Sequence, residues 1–399
     1  MRICHVAYTF YETDNRVMRY ARDMALDGHQ VDVIALRGPA QRFVECADGV
    51  RLLRIQRRSI TESTPLAYLA KLLWFLSKST ALLSLLQLKH RYRVVHVHNI
   101  PDFLVFAAIV PKLTGAKVVL DIHDIVPELY AGKFGAHNQS STVRALLTIE
   151  RASCSFADHV IVANDLWHDT VLHRSAKRCT TILNYPDTAL FKPIRAQARP
   201  PGDRFVFLYP GTLNHHQGVD LAVRALSLVR DEMPDADLHI YGDGPAKPSL
   251  AKLVADLHLG DRVRLSDRVS IMEIARILAT ADVGLVPKRA DGFGNEAFST
   301  KILEFMITGV PVIVSRTRVD EHYFDSTLVR FFDAGDEKDL AAAMLDTRRH
   351  MDAAMVRADN ARMFAIRNSW QRRGQDYHRL IESLIGETSH ERPPRLDPV

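Results

Sequence analysis

The 399-residue sequence has few cysteines and lacks the short motifs of several common enzyme classes. Its four cysteines, Cys4, Cys46, Cys154 and Cys179, are scattered without the paired spacing of a metal site or a disulfide framework, and we interpret them as buried thiols. No Gly-x-x-x-x-Gly-Lys-Ser/Thr loop, Gly-x-Ser-x-Gly elbow or His-Glu-x-x-His helix occurs. These absences disfavour nucleoside triphosphatases, hydrolases and zinc proteases, and no metal clamp is evident.

The first ten residues also lack the basic start and apolar core of a secretory signal. They have the pattern of a strand instead. Together with the scattered cysteines, this pattern leads us to expect a protein of the cytoplasm.

Acidic residues are scarce in one part of the chain. The excess of Lys and Arg lies in residues 1–193 and is concentrated within 51–93, at Arg51, Arg54, Arg57, Arg58, Lys89, Arg91 and Arg93. Such a patch indicates an anionic partner. Aromatic residues are not interleaved with these charges and no nucleic-acid motif accompanies them, so we favour a membrane surface over nucleic acid.

Strand and helix patterns alternate in both halves of the chain, which argues for two α/β domains with parallel sheets. The predicted strands are 3–8, 31–36, 50–55, 94–97, 118–122 and 159–162, then 205–209, 238–241, 263–265, 283–286 and 312–314. Breaks that contain proline, at 183–187, 193 and 199–203, mark the joint between the domains. We predict domains over 1–193 and 203–368, a helix over 369–385 and a disordered tail over 386–399.

Residues 296–313 place two glutamates around the start of a helix that leads directly into a strand. Ser299 and Thr300 suit the N-cap, Gly309 suits the left-handed position after the helix, and a proline follows. The start of such a helix offers N–H groups and partial positive charge to a diphosphate. Side chains one turn in lean back toward that end, so Glu304 would reach an adjacent ribose.

Glu296 and Glu304, separated by seven residues and followed by Phe-Met-Ile-Thr-Gly-Val-Pro-Val-Ile, resemble the Glu-x7-Glu signature of retaining GT-B glycosyltransferases of family 4. The resemblance implies that Glu296 contacts the donor sugar and Glu304 the ribose; a solvated helix face is the alternative. Asp291-Gly-Phe-Gly imitates the opening of this signature but lies too far from Glu304. The remaining donor-binding candidates of this segment are Asn295, Ala297, Phe298 and Ser299.

The resemblance spans almost the whole chain and implies the GT-B fold, with two doubly wound Rossmann-like domains facing a central cleft. It implies retaining transfer of a hexosyl group from a nucleotide-diphosphate sugar to a hydroxyl of a glycan, polysaccharide or lipid-linked precursor. The nucleotide sugar is then a co-substrate, without a bound cofactor or metal. Helix 369–385 would cross back to the first domain, and domain closure would assemble His123 with Glu296 and Glu304.

Residues 121–128, Asp-Ile-His-Asp-Ile-Val-Pro-Glu, resemble the His-Asp-x-x-Pro-Glu segment of this family, in which the histidine approaches the donor sugar. The resemblance makes His123 a candidate catalytic residue together with Glu296; a structural hydrogen bond is the alternative. We place His96 and His98 on opposite faces of one strand, which would prevent both from ligating one metal, and assign His96 to the core.

Two other loops of the first domain contain candidate residues. Asp14, Asn15 and Arg16 resemble the Asp-x-Arg-Val entry of this family, a loop that approaches donor phosphate or acceptor, although Asp14 or Asn15 also suits a helix N-cap. His98 and Asn99 follow a predicted strand and are candidates for the acceptor side.

Residues 209–220 resemble the family's Gly-x-Leu-x-x-x-Lys-Gly-x-Asp loop, in which Gly211 would permit close approach to the phosphates. Gln217 stands where the family has its usual lysine, and Thr212 where it has its usual arginine. The resemblance therefore implies that other cations neutralise the diphosphate, with solvated surface charges as the alternative. The candidates are Lys288, Arg289 and Lys301. Gly242 opens a Gly-Asp-Gly-Pro turn similar to the family's Gly-x-Gly-Pro turn.

Residues 65–93 predict a helix that is apolar on most faces and interrupted by Lys71 and Lys78 on one side. It is too broken for a membrane span by this pattern. Packing in the core and lying on the cytoplasmic leaflet both fit, and Trp74 with the basic flanks favours the membrane surface.

Two other functions stay open at this point. The same scaffold serves phosphorolysis or epimerisation of a sugar nucleotide, which product analysis would distinguish from transfer. The substitutions at Thr212 and Gln217 would also suit a degenerate scaffold that binds a partner without catalysis.

Overall fold

A computed structural model of the chain describes residues 1–58, 65–134, 140–192, 204–278 and 280–386. It divides into two compact units: unit 1 contains Met1–Asn184 and the segment from Asp376, and unit 2 contains Tyr185–Gln375. The predicted breaks at 193 and 199–203 lie outside the described residues, as do positions 387–399 of the predicted tail. The domain boundaries drawn from the sequence stay predictions.

Unit 1 contains an eight-stranded sheet with the order β3-β4-β2-β1-β5-β6-β7-β8. Its strands are β1 (Arg2–Ala7), β2 (Gln30–Arg37), β3 (Val44–Ala47), β4 (Val50–Arg57), β5 (Val94–His98), β6 (Lys117–Ile122), β7 (His159–Val162) and β8 (Cys179–Thr181). All neighbouring strands are parallel except β3, which pairs antiparallel with β4. Runs of buried valine, isoleucine and leucine in the central strands indicate a sheet covered on both faces.

The helices of unit 1 connect these strands. They are α1 (Asn15–Leu26), α2 (Pro65–His90), α3 (Ile109–Leu113), α4 (Val126–Phe134), α5 (Ser141–Phe156) and α6 (Asp165–Ser175), with 3-10 turns at Tyr11–Thr13 and Asp102–Ala108. The predicted helix at 369–385 is present as a helix at Trp370–Ile385, whose residues from Asp376 on belong to unit 1. Tyr377 in this helix hydrogen-bonds His96 of β5 through its hydroxyl, at 2.8 Å.

Unit 2 contains a six-stranded, all-parallel sheet with the order β11-β10-β9-β12-β13-β14. The strands are β9 (Phe205–Pro210), β10 (Ala236–Tyr241), β11 (Val263–Ser266), β12 (Val283–Val286), β13 (Val312–Arg316) and β14 (Arg330–Asp333). The helices are α7 (Val219–Val229), α8 (Lys247–Asp256), α9 (Ile271–Leu278), α10 (Thr300–Thr308), α11 (Arg318–Tyr323), α12 (Glu337–Arg349) and α13 (Met351–Arg367), with a 3-10 turn at His215–Gln217. The helix at Trp370–Ile385, α14, belongs to unit 2 only up to Gln375.

Both sheets are doubly wound. The strand order reverses between β1 and β5 in unit 1 and between β9 and β12 in unit 2. Ligands of open α/β sheets bind at the carboxyl ends of the strands on either side of such a reversal. We therefore expect the candidate residues of unit 1 in the loops after β1 and β5, and those of unit 2 in the loops after β9 and β12.

Short strands and one cysteine differ from the predictions. The strands β3, β8 and β14 were not predicted, and β3 and β8 have no buried residue to produce an apolar signal. Cys4 and Cys154 are buried thiols and Cys179 is only partly buried, but the interpretation is wrong for Cys46, which is exposed on β3 at the edge of the sheet.

Helix α2 is buried along one side and exposed along the other. Leu72, Phe75 and Leu83 are buried in unit 1, and the Phe75 ring packs edge-on against Tyr8 at 5.1 Å. The opposite side exposes large apolar side chains: Leu66, Leu69, Leu73, Trp74, Leu85 and Leu88. By length and hydropathy alone, residues 66–90 are the one stretch among the described residues that would suffice to cross a bilayer.

Candidate functional site

Helix α10 is buried on every side but one. It begins at Thr300 and ends at Thr308, and Gly309 takes the left-handed conformation with φ +78°, which confirms these predicted bounds. Of its nine residues only Thr300, Lys301 and Glu304 keep solvent exposure, and their spacing puts them on one face of the first turns. Ser299 is the N-cap by backbone position, but its side chain makes no capping hydrogen bond. The Ser299 hydroxyl therefore does not occupy the N–H groups that open α10.

The loop after β9 lies directly against this face. A Cβ added at Gly211, whose φ is +148°, would lie 3.1 Å from Lys301 Nζ. A Cβ at Gly242 would lie 1.8 Å from the Gly211 carbonyl oxygen, so both glycines are required for the loops after β9 and β10 to pack. The Thr212 carbonyl accepts a hydrogen bond from the buried Tyr209 hydroxyl, at 2.8 Å.

Two of the three predicted phosphate cations are held by carboxylates. Lys288 is buried and donates to Asp320 Oδ2 at 2.9 Å and to the Ala297 carbonyl at 2.7 Å. Arg289 forms two hydrogen bonds of 2.8 Å to the carboxylate of Asp220. These two contacts fix the loop that leads from β12 to α10.

The loop residues before α10 are ordered by further contacts. Asn295 Oδ1 accepts from the Arg318 backbone N–H at 2.8 Å, and Arg318 Nη1 donates to Glu296 Oε1 at 3.1 Å. Phe298 packs edge-on against Tyr323 with ring centroids 5.0 Å apart. The structure thus brings Asn295 to Lys301 together at the carboxyl edge of the unit 2 sheet, and their ligand roles stay predictions.

A second candidate cluster lies in unit 1, around Asp121 at the end of β6. Arg16 on α1 donates to both carboxylate oxygens of Asp121, at 2.7 and 2.8 Å, and both side chains are almost fully buried. His123 Nε2 lies 3.2 Å from Asp121 Oδ2, and the His123 backbone N–H donates to Asn99 Oδ1 at 2.7 Å. Arg16 is thereby engaged inside unit 1, and Asp121 and Asn99 hold His123.

Buried histidines extend this cluster into the sheet. His98 Nδ1 lies 3.1 Å from His123 Nε2, and His98 Nε2 lies 3.1 Å from His5 Nδ1. The prediction that His96 and His98 occupy opposite faces is wrong, because side chains two residues apart in a strand point to the same face. Their rings stack with centroids 4.2 Å apart.

Burial decides the charges in this cluster. It lowers the pKa of His5 and of His98 well below the usual value, and neighbouring histidines add to the effect, so both rings are neutral at pH 7. Burial alone would raise the pKa of Asp121, but Arg16 and His123 outweigh it and hold that pKa well below its usual value. The carboxylate is therefore charged, and the two imidazoles are neutral hydrogen-bond partners.

Two groups of these side chains have ligand atoms within 4.8 Å of one another: His5, His96 and His98, and His98, Asp121 and His123. Imidazole and carboxylate groups are ligands that transition metals accept. Here the carboxylate already binds a guanidinium through both oxygens, and the histidines hydrogen-bond in sequence. We interpret both groups as a hydrogen-bonded network that orients His123, and the prediction of no metal stays a prediction.

The remaining unit 1 candidates lie near a cavity at the β1–β5 edge. Asp14 is the N-cap of α1 and accepts from the Val17 N–H at 3.1 Å, which agrees with the helix-capping role named as the alternative for it. Asn15 is the first residue of that helix. The cavity has a volume of about 220 Å³. It is lined by Ala7, Tyr8, Thr9, Asp14, Arg58, Tyr68, Asn99 and Ile100.

Sequence reasoning missed several residues that build these sites. Asp121, His5 and Tyr377 support His123, while Asp320 and Arg318 hold the loop before α10. For Asp121 a signal was present, since it lies two residues before His123 and alternation puts both on one side of the strand. The others join the sites through contacts between residues far apart in the chain.

Two family descriptions match the chain. Residues 13–184 match "Glycosyl transferase 4-like domain" and residues 204–349 match "Glycosyl transferases group 1". A D-inositol 3-phosphate glycosyltransferase of Pseudarthrobacter chlorophenolicus is 32% identical over 50% of this chain and 50% of its own length. A GDP-mannose-dependent alpha-(1-6)-phosphatidylinositol monomannoside mannosyltransferase of Mycolicibacterium smegmatis is 30% identical over 50% of this chain and 54% of its own. The chain thus spans about half the length of these curated relatives.

Among solved structures, a sucrose-phosphate synthase from Thermosynechococcus elongatus has a TM-score of 0.75 at 20% identity, covering 96% of this chain and 100% of that one. This likeness shows the fold, two doubly wound α/β domains of the GT-B class. With both family descriptions matched, the chain belongs to the group 1 glycosyl transferases.

Proposed function

We propose that the protein transfers a hexosyl group from a nucleotide-diphosphate sugar to a hydroxyl acceptor, with retention and without a metal. The observation that carries this proposal is the partly exposed face of α10, where Thr300, Lys301 and Glu304 border the first turn of an otherwise buried helix. A diphosphate on that turn would receive hydrogen bonds from backbone N–H groups and the favourable end of the helix dipole.

The proposed donor pose follows from this face. With the diphosphate on the first turn, Glu304 lies one turn further in and accepts hydrogen bonds from the ribose hydroxyls. Glu296, ordered by Arg318, accepts from hydroxyls of the sugar. As the bond between the sugar and the diphosphate breaks, negative charge grows on the leaving diphosphate. The backbone N–H groups at the start of α10 and the Lys301 ammonium are already in place to stabilise that charge.

Thermal denaturation with a panel of nucleoside diphosphates and their sugars tests this function. A ligand that binds only the folded chain at 100 times its Kd adds about 2.7 kcal/mol to the free energy of unfolding, so we expect one base to raise the melting temperature. The sugar nucleotide that stabilises most is then incubated with acceptors, with and without EDTA. Release of nucleoside diphosphate that depends on acceptor and not on EDTA is expected, with the anomeric configuration retained.

The same experiment separates the alternatives. Turnover that requires inorganic phosphate, or an isomerised sugar nucleotide in the absence of acceptor, would establish phosphorolysis or epimerisation instead of transfer. A panel in which no nucleotide shifts the melting temperature would contradict the proposed donor site.

We further propose that the protein works at the cytoplasmic membrane surface, where its acceptor is glycan or lipid-linked. The exposed apolar side of α2 supports this proposal, since an uncovered row of leucines with Trp74 is costly in water. Lys78 lies over the Trp74 ring at 4.9 Å, and Lys89, Arg91 and Arg93 follow at the helix end. Basic residues beside an apolar helix face favour anionic headgroups.

An interfacial position suits α2 better than a membrane span. Its other side is packed in unit 1, with Leu72, Phe75 and Leu83 buried and the Gln56 side chain donating to the Lys71 carbonyl at 3.0 Å. Crossing the bilayer would break these contacts. The helix therefore lies parallel to the surface, with the side of Leu73 and Trp74 in the headgroup region.

Vesicle sedimentation of the full chain tests the membrane proposal. We expect binding to vesicles that contain phosphatidylglycerol, little binding to pure phosphatidylcholine, and at least about tenfold weaker binding for Leu73→Glu/Trp74→Glu, because carboxylates would enter the apolar and anionic interface. Leu228→Glu, at an exposed leucine of α7 in unit 2, is the matched control and should bind as the wild type does. Equal binding of the double variant would contradict the proposal.

A further inference from the structure

The third predicted cation, Lys301, differs from Lys288 and Arg289 in its surroundings. Lys301 Nζ donates to Gln217 Oε1 at 3.2 Å and lies over the Tyr209 ring at 5.3 Å. Among the described residues no carboxylate forms an ion pair with it, whereas Lys288 and Arg289 are each bound by an aspartate. Its partners in the structure are therefore a neutral amide oxygen and an aromatic face.

The position of this ammonium is also distinctive. It lies against Gly211, at the carboxyl end of β9 and beside the strand-order reversal of the unit 2 sheet. It belongs to the first turn of α10, so its charge adds to the positive end of the helix. Anions bind where such fixed charge and open N–H groups coincide.

Gln217, at the loop position where the family resemblance implies a lysine, lies directly beside Lys301. The Gln217 side-chain oxygen accepts from Lys301 Nζ at 3.2 Å and lies 3.1 Å from the Tyr209 hydroxyl oxygen. The Gln217 side chain thus supplies a neutral hydrogen-bond acceptor that holds the Lys301 ammonium beside the loop. A positive charge thus lies next to position 217, although the residue at 217 is itself uncharged.

We propose that Lys301 is the cation that binds the donor diphosphate in this protein and compensates for the uncharged residue at Gln217. The proposal rests on the nucleotide-sugar function proposed above. Lys288 and Arg289 are then positioning residues that order the loop between β12 and α10 through Asp320 and Asp220.

The environment of Lys301 makes this role dependent on pH. The charged and titratable groups around it are Glu304 on α10, Lys288 after β12, Asp320 on α11, His216 and Tyr209. Burial lowers the pKa of Lys301 to about 8 in the ligand-free chain, with Lys288 acting in the same sense and the two carboxylates opposing it. The ammonium is lost as pH rises through about 8, so diphosphate affinity should fall above that pH.

Titration calorimetry with the nucleoside diphosphate selected by thermal denaturation tests Lys301. Lys301→Met, which keeps the chain length, should bind about 10- to 100-fold more weakly at pH 7, the loss of one charge-assisted contact. Lys301→Arg should bind well and keep its affinity between pH 7 and 9.5, where the wild type weakens, because guanidinium stays charged. Lys252→Ala, at an exposed lysine of α8 in the same unit, should bind as the wild type does.

The outcomes separate the two proposals. If the wild type binds and Lys301→Met binds equally well, the role of Lys301 is refuted and the donor function stands. If the wild type binds no nucleoside diphosphate, the donor function fails and the role of Lys301 with it. Should Lys301→Met not fold, the pH profiles of the wild type and Lys301→Arg still decide, since parallel profiles would refute the role.

Discussion

Replacing Glu304 by alanine should abolish measurable binding of the donor nucleotide while leaving the chain folded. Glu304 is one of three partly exposed residues on α10, and it lies on the face that borders the first turn. A carboxylate that accepts two ribose hydroxyls contributes hydrogen bonds to a charged group, each worth about 1.5–3 kcal/mol, so the two together correspond to a loss of about 100-fold or more. Calorimetric titration of the variant with the selected nucleoside diphosphate measures this loss.

Glu273→Ala is the matched control for this variant. Glu273 is an exposed glutamate in the first turn of α9, in the same unit and near the start of its helix as Glu304 is near the start of α10. Its removal should leave nucleotide affinity unchanged. An unaltered affinity in the Glu304 variant would reject the ribose assignment, and a lower melting temperature without ligand would reject the claim that the fold is intact.

Removing the charge of Asp121 should destabilise unit 1 strongly. Asp121 and Arg16 are almost fully buried and joined by two short hydrogen bonds. Asp121→Asn keeps the shape but leaves the Arg16 charge buried without a counter-charge, which costs about 3–5 kcal/mol in comparable buried pairs. Urea denaturation should show this loss of unfolding free energy.

Two comparisons sharpen the Asp121 experiment. Arg16→Met/Asp121→Leu removes both charges and should recover much of the stability, because an apolar pair of similar volume needs no counter-charge. Glu321→Gln breaks the Arg316–Glu321 pair, which is about half exposed, and should cost no more than about 1 kcal/mol. A loss below that value for Asp121→Asn would contradict the buried-pair interpretation.

The pKa of Asp121 also sets the direction of a pH effect. Its folded-state pKa lies well below the ordinary value of about 3.9, so the stabilising contribution is complete above about pH 4. It is lost as pH falls toward the folded-state pKa. The stability difference between wild type and Asp121→Asn should therefore be constant near neutrality and shrink in acid.

The bounds of α10 could be predicted because its signals are local. The polar residues before it, the apolar run within it and Gly309 after it determine where the helix begins and ends. The central strands could also be predicted, because their runs of buried apolar residues are a local signal. The edge strands β3 and β8 lack buried residues and form through pairing with neighbours, which a local pattern does not reveal.

The supporting contacts of both candidate sites depend on pairs that are distant in sequence. Arg16 and Asp121 are 105 positions apart, and Gln217 and Lys301 are 84 positions apart. Sequence indicated that cations must replace those missing at Thr212 and Gln217, but it offered Lys288, Arg289 and Lys301 equally. The structure distinguishes them, because Asp320 binds Lys288 and Asp220 binds Arg289. Lys301 is the candidate that we propose for the phosphate.

A crystal structure of the full chain with the bound nucleoside diphosphate tests the central claim most directly. We expect the diphosphate on the first turn of α10, within hydrogen-bond distance of the backbone N–H groups and Lys301 Nζ, and the ribose hydroxyls on Glu304. A nucleotide bound elsewhere, or one whose ribose makes no contact with Glu304, would contradict the proposed donor site.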